Sequence, residues 1–99
     1  MLFDGAIRFA RQSKDFMVAR EYEDANARLI RTQDIINELI LSLDLSVGEI
    51  ANNLQQLYVF IHDLLVQANI KKDPEIVDSA VDMLVELRDT WEQVVGQAR

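Results

Sequence analysis

Few residues in this chain are able to do chemistry. There is no cysteine and a single histidine, His62. Disulfides and thiolate metal sites are therefore excluded, and nothing points to an oxidising compartment. A di-iron helical bundle needs Glu-x-x-His pairs projecting inward from two helices. Here Val59 stands three residues before His62, and no second histidine exists. Asp78, Asp82, Glu86 and Asp89 follow helical spacing along one side of a helix. They could form an all-carboxylate metal site, but charged helix faces ordinarily point to water. Gly5, Gly48 and Gly96 are isolated, so there is no phosphate-binding loop and no dinucleotide fingerprint. Ser13, Ser42, Ser46 and Ser79 sit in no nucleophile motif, and His62, between Ile61 and Asp63, reads as a boundary residue. The sequence predicts no catalysis, no metal and no cofactor.

The elements that carry these residues are helices. Of 99 residues, 49% are hydrophobic and 27% charged, enough apolar material for one small folded domain. Apolar residues recur at three- and four-residue steps, the spacing of one helical stripe. Ala25, Leu29, Thr32, Ile36, Leu39 and Leu43 form one such stripe; Ile50, Leu54, Leu57, Ile61, Leu64 and Ala68 form another. Val77, Ala80, Leu84, Leu87, Trp91, Val94 and Ala98 form a third, and Leu2, Ala6, Phe9, Ser13 and Phe16 a looser one. Ser46 and Glu49 have capping-box spacing. Asp73-Pro74 is a cap followed by proline at the first helical position, and Lys71 and Lys72 suit the negative end of the preceding helix. Between Val18 and Glu21 no glycine, proline or asparagine marks the turn. Helices are predicted at about 1–18, 22–44, 47–70 and 74–98, in one all-α domain, an antiparallel up-down four-helix bundle.

Charge limits the partners. Ten basic against seventeen acidic residues give −7, which disfavours nucleic acid and anionic membrane surfaces. The longest uncharged stretch, Ile50 to His62, holds two asparagines and two glutamines and falls short of a span of ~18 apolar residues. Asp4 interrupts the N-terminal apolar run, unlike a secretory signal, so the expected location is cytoplasmic.

The apolar residues exceed what one core stripe uses. From Leu57 to Val66, eight of ten residues are apolar or aromatic. With Leu57, Ile61 and Leu64 as the core, Tyr58 and Leu65 flank it on one side and Phe60 on the other, and Val59 and Val66 fall nearly opposite. Ile30, Ile35, Ile40 and Leu41 on the second helix, and Met83 and Val85 on the fourth, are likewise off their stripes. The surplus suits a central third helix covered by its neighbours, a homodimer or homo-oligomeric scaffold, or a groove for an apolar helix of a partner. On the groove reading, the residues expected to bind the partner are Ile40, Leu41, Tyr58, Val59, Phe60, Leu65, Val66 and Met83. Tyr58 is favoured, because an aromatic with a polar tip suits a groove edge.

Several segments carry a family likeness. Met1-Leu-Phe-Asp-Gly-Ala-Ile-Arg-Phe9 resembles the first-helix motif of the flagellin-specific export chaperones of the FliS family, where tyrosine usually stands at the place of Phe3. Asn26 to Leu39 looks like that family's second helix. Leu43-Asp44, Gly48 to Ala51, Asn53-Leu54, Leu57-Tyr58, Leu65, Ala68-Asn69 and Leu87 to Trp91 continue the likeness in order. The resemblance implies a helical bundle that binds the disordered C-terminal segment of flagellin in apolar grooves. It further implies that the partner is kept from premature polymerisation and delivered to the flagellar type III export gate. The family's N-terminal segment and the beginning of its first helix have no counterpart before Met1, a segment thought to cover part of the groove in the free chaperone.

Overall fold

The computed structural model describes residues 2–97, and of Val47 and residues 92–97 only the backbone. Four helices form, α1 (Leu2–Val18), α2 (Tyr22–Leu41), α3 (Glu49–Lys71) and α4 (Pro74–Gln97), with one 3-10 turn, Leu45–Val47, between α2 and α3. Met1 and Ala98 lie outside the described residues, and the side chain of the expected seam residue Val94 does too. The long axis of 43 Å is close to the ~36 Å of a 24-residue helix plus its connections.

Cross-links between helices fix their directions. Asp4 pairs with Arg88 and Lys14 with Asp78, so α1 and α4 run antiparallel. The Asn69 side-chain Nδ2 donates to Asn26 Oδ1 at 2.6 Å, joining the end of α3 to the start of α2. Backbones approach in a ring: α1 beside α2, α2 beside α3, α3 beside α4, α4 beside α1. Among the described residues, diagonal helices meet through side chains, as where the rings of Phe3 and Tyr58 lie 6.4 Å apart across the interior. The architecture is the antiparallel four-helix bundle that the spacing predicts.

The core holds Ala25, Leu29, Ile36 and Leu39 of α2 and Val77, Ala80 and Leu84 of α4, in phase with the predicted stripes, and also Val81, which the predicted stripe omits. Its two buried polar residues satisfy themselves. Ser13 donates to the Ala10 carbonyl at 2.6 Å and Thr32 to the Arg28 carbonyl at 3.0 Å, so each hydroxyl bonds within its own helix. That explains how Thr32 occupies a place in an otherwise apolar stripe.

α1 and α3 are rotated relative to the predicted stripes. In α1 the buried residues are Phe3, Ala6, Ile7, Ala10, Ser13 and Met17. Leu2 is exposed, and Phe9 and Phe16 are half-buried at the α2 side. In α3 the buried residues are Ala51, Tyr58, Ile61, Leu65 and Ala68. Leu57, predicted in the seam, is 40% exposed, and Ile50 is 73% exposed. Tyr58 and Leu65, predicted to flank the seam, are in it.

The connections correct two further expectations. α2 ends at Leu41, before the predicted 44. The Ser46–Glu49 capping box does not form. Instead the Asp44 carboxylate accepts from the Ser46 amide at 3.0 Å and from the Ser46 hydroxyl, capping the 3-10 turn. These bonds hold the Asp44 carboxyl below its ordinary pKa. Gly48 then starts α3 at φ 112°, ψ −146°, a conformation essentially reserved for glycine. No atom would obstruct a Cβ there, so the cost of Gly48→Ala is purely conformational. Chemical denaturation should show about 1–3 kcal/mol of lost stability.

The unmarked turn after α1 closes without glycine. The Glu21 amide donates to the Phe16 carbonyl at 2.8 Å and the Arg20 amide to the Met17 carbonyl at 3.0 Å. This is the paired hydrogen bonding of a Schellman end, with Arg20 in the left-handed region at φ 61°. A left-handed L-residue costs ~1–2 kcal/mol, partly offset in a glycine variant by greater freedom of the unfolded chain. Arg20→Gly should therefore stabilise the bundle by about 0.5–1 kcal/mol in the same measurement. At the start of α4, Asp73 accepts from the Glu75 amide at 2.9 Å, the cap that the Asp-Pro pair predicts.

Candidate partner-binding face

The eight residues singled out from sequence divide into three groups. Tyr58 and Leu65 are core residues, 6% and 0% exposed, and offer no open surface. Burial also pushes the Tyr58 phenol above its ordinary pKa. Leu41, Val59 and Phe60 are exposed, at 84%, 44% and 54%. Ile40, Val66 and Met83 are half-buried, and Ile40 and Met83 pack on the edge of the core.

Helical geometry sorts the exposed residues of α3 into two flanks. Leu57 lines a shallow depression of about 230 Å³ with Met83, Glu86, Leu87 and Thr90, so it lies on the α4 side. At ~100° per residue, Ile50, Phe60 and Leu64 fall close to Leu57 around the axis, while Val59 and Val66 fall nearly opposite. Those two lie on the α2 side, together with Ile30 and Ile40, which share a flank of α2 with Asn26. The predicted set is thus one surface on neither side: Phe60 and Met83 belong to the α3–α4 face, Val59, Val66 and Ile40 to the α2–α3 face.

Sequence reasoning missed the exposed Leu57 and the part-buried Leu87 beside it because both occupy stripe positions. Trp91 is the other omission. It continues the α4 stripe yet is 51% exposed. It lies nearly one turn beyond Arg88, which pairs with Asp4 of α1. Leu57, Phe60 and Trp91 are large exposed apolar side chains of α3 and α4, and the part-buried Met83 and Leu87 line the depression beside Leu57. Such a face can bury apolar side chains of a helical or extended segment, each contributing ~1.5–3 kcal/mol when fully enclosed.

The carboxylates of α4 are differently engaged. Asp78 accepts from Lys14 at 2.8 Å and Asp89 from Arg88 at 3.3 Å. Both cations are held above their ordinary pKa first by these carboxylates, for Arg88 by Asp4 ahead of Asp89. No group of three or more potential metal ligands converges among the described residues. Among the described residues, no helix is long and apolar enough to cross a membrane.

Comparison with known proteins places this geometry. The family model for flagellar protein FliS matches residues 1–98. The flagellar secretion chaperone FliS of Bacillus subtilis is 30% identical over 99 residues, covering 100% of this chain and 74% of its own. Its counterpart in Vibrio cholerae is 36% identical over 95 residues, covering 95% and 70%. That of Salmonella typhimurium is 31% identical over 100 residues, covering 99% and 74%.

Proposed function

The chain belongs to the FliS family of flagellar secretion chaperones, and from that premise we propose that its cargo is the C-terminal segment of flagellin. The chaperone holds this disordered segment in the cytoplasm, prevents it from polymerising early, and presents it for flagellar type III export. The observation that carries the reading is the apolar surface of α3 and α4, where the exposed Leu57 lines a depression with Met83 and Leu87 and the same two helices expose Phe60 and Trp91. The cargo seats on this face and continues over the α3 crest to Val59, Val66 and Ile40, with Leu41 at the end of the same flank.

Calorimetric titration with a synthetic flagellin C-terminal segment tests the proposal. A disordered segment that folds on binding costs ~2–5 kcal/mol or more to order. Several large apolar contacts are needed to exceed that cost, so the heat-capacity change should be clearly negative. The affinity should change little with salt, because burial and not charge pairing supplies it. Absence of heat together with an unchanged melting temperature would refute flagellin as cargo. A concentration-dependent dimer in that case would turn the reading to a homo-oligomeric scaffold.

A further inference from the structure

The opposite edge of the ring carries a surface of different chemistry. Gly5, Phe9, Gln12 and Phe16 share the side of α1 that faces α2, as the approach of Gly5 to Ile35 shows. Around the Phe9 ring stand three guanidiniums, those of Arg31 at 5.1 Å, Arg8 at 5.2 Å and Arg28 at 6.0 Å from its centroid. Arg28 also lies 5.9 Å from the Phe16 centroid. Asp24 and Asp34, one turn away along α2, make no ion pair with these arginines among the described residues, and neither does any other carboxylate. The cations of the α1–α4 edge, Lys14 and Arg88, are by contrast paired. In a chain with net charge −7, three guanidiniums gathered at one ring are a local reversal of sign.

A guanidinium held against an aromatic face keeps N–H groups available for a carboxylate, and the arrangement is already ordered before a ligand arrives.

We propose that the α1–α2 face is a second docking surface, for an acidic segment of a protein. Its carboxylates bond to Arg8, Arg28 and Arg31, and an apolar residue rests against the exposed part of Phe9. A nucleic acid offers no comparable fit, since its extended charge would meet the acidic remainder of the surface. In the ring order, this edge is opposite the α3–α4 face, so cargo and acidic partner can be held together. The inference stands whether or not flagellin is the cargo.

The test uses fluorescence anisotropy with a rhodamine-labelled peptide of four Glu-Asp-Leu repeats. Saturable binding that weakens steeply with salt is expected. The triple variant Arg8→Gln, Arg28→Gln, Arg31→Gln should lose affinity about tenfold or more. Its melting curve should remain cooperative and its affinity for the flagellin segment unchanged. If the triple variant melts early, the single Arg31→Gln variant carries the same comparison. Absence of saturation, equal binding by the variant, equal binding of a Gln-Asn-Leu peptide, or equal binding of oligothymidylate would each overturn the proposal.

Discussion

Replacing Leu65 with alanine is expected to cost about 2–5 kcal/mol of stability, while Leu57→Ala costs about 1 kcal/mol or less. The two substitutions remove the same atoms from the same helix. Leu65 is fully enclosed, so its truncation loses the transfer free energy and leaves a cavity that rigid helices cannot close. Leu57 is 40% exposed over a shallow depression, so water replaces its side chain and no cavity remains. At ~4–8 °C per kcal/mol for a domain of this size, thermal melting resolves the difference without extrapolation. Equal losses would place Leu57 back in the seam and undo the assignment of the α3–α4 face.

Leu57→Asp is expected to leave the free bundle nearly as stable and to weaken binding of the flagellin segment about a hundredfold or more. The lost apolar contact accounts for ~1.5–3 kcal/mol. A carboxylate enclosed by apolar cargo without a partner adds a desolvation penalty. At 1.4 kcal/mol per tenfold, the two together exceed about two decades. Phe60→Ala on the same flank should weaken binding in the same direction, through the loss of one large aromatic contact. Paired unfolding and titration measurements check both variants. Unchanged affinity in Leu57→Asp would move the cargo off this face.

The helices of this bundle are legible because α2 and α4 each repeat one apolar stripe in register, although Ile30, Ile35, Ile40, Leu41, Met83 and Val85 lie off it. Ile36 and Leu84 can be assigned to the interior from spacing alone. α3 defeats the same method because nearly every position from Leu57 to Val66 is apolar. The predicted stripe and the observed core share Ile61 and Ala68 and differ at Leu57 and Tyr58, which are adjacent in sequence and ~100° apart around the axis. Spacing cannot choose between them; the positions of α2 and α4 do. Tyr58 reads as an edge residue because of its hydroxyl, yet its ring packs near Phe3 in the interior. The end of α1 is invisible in composition because Arg20 takes a backbone conformation that glycine normally supplies. The arginine cluster at Phe9 needs the pairing of α1 with α2, which no local pattern encodes.

The most direct measurement follows methyl resonances of the labelled chaperone as the flagellin C-terminal segment is added to saturation. The expected result is displacement of the Leu57, Met83 and Leu87 methyl signals, with Leu29 and Val77 in the core moving much less. Saturation of binding while the methyls of Leu57, Met83 and Leu87 stay in place would contradict cargo capture on the α3–α4 face.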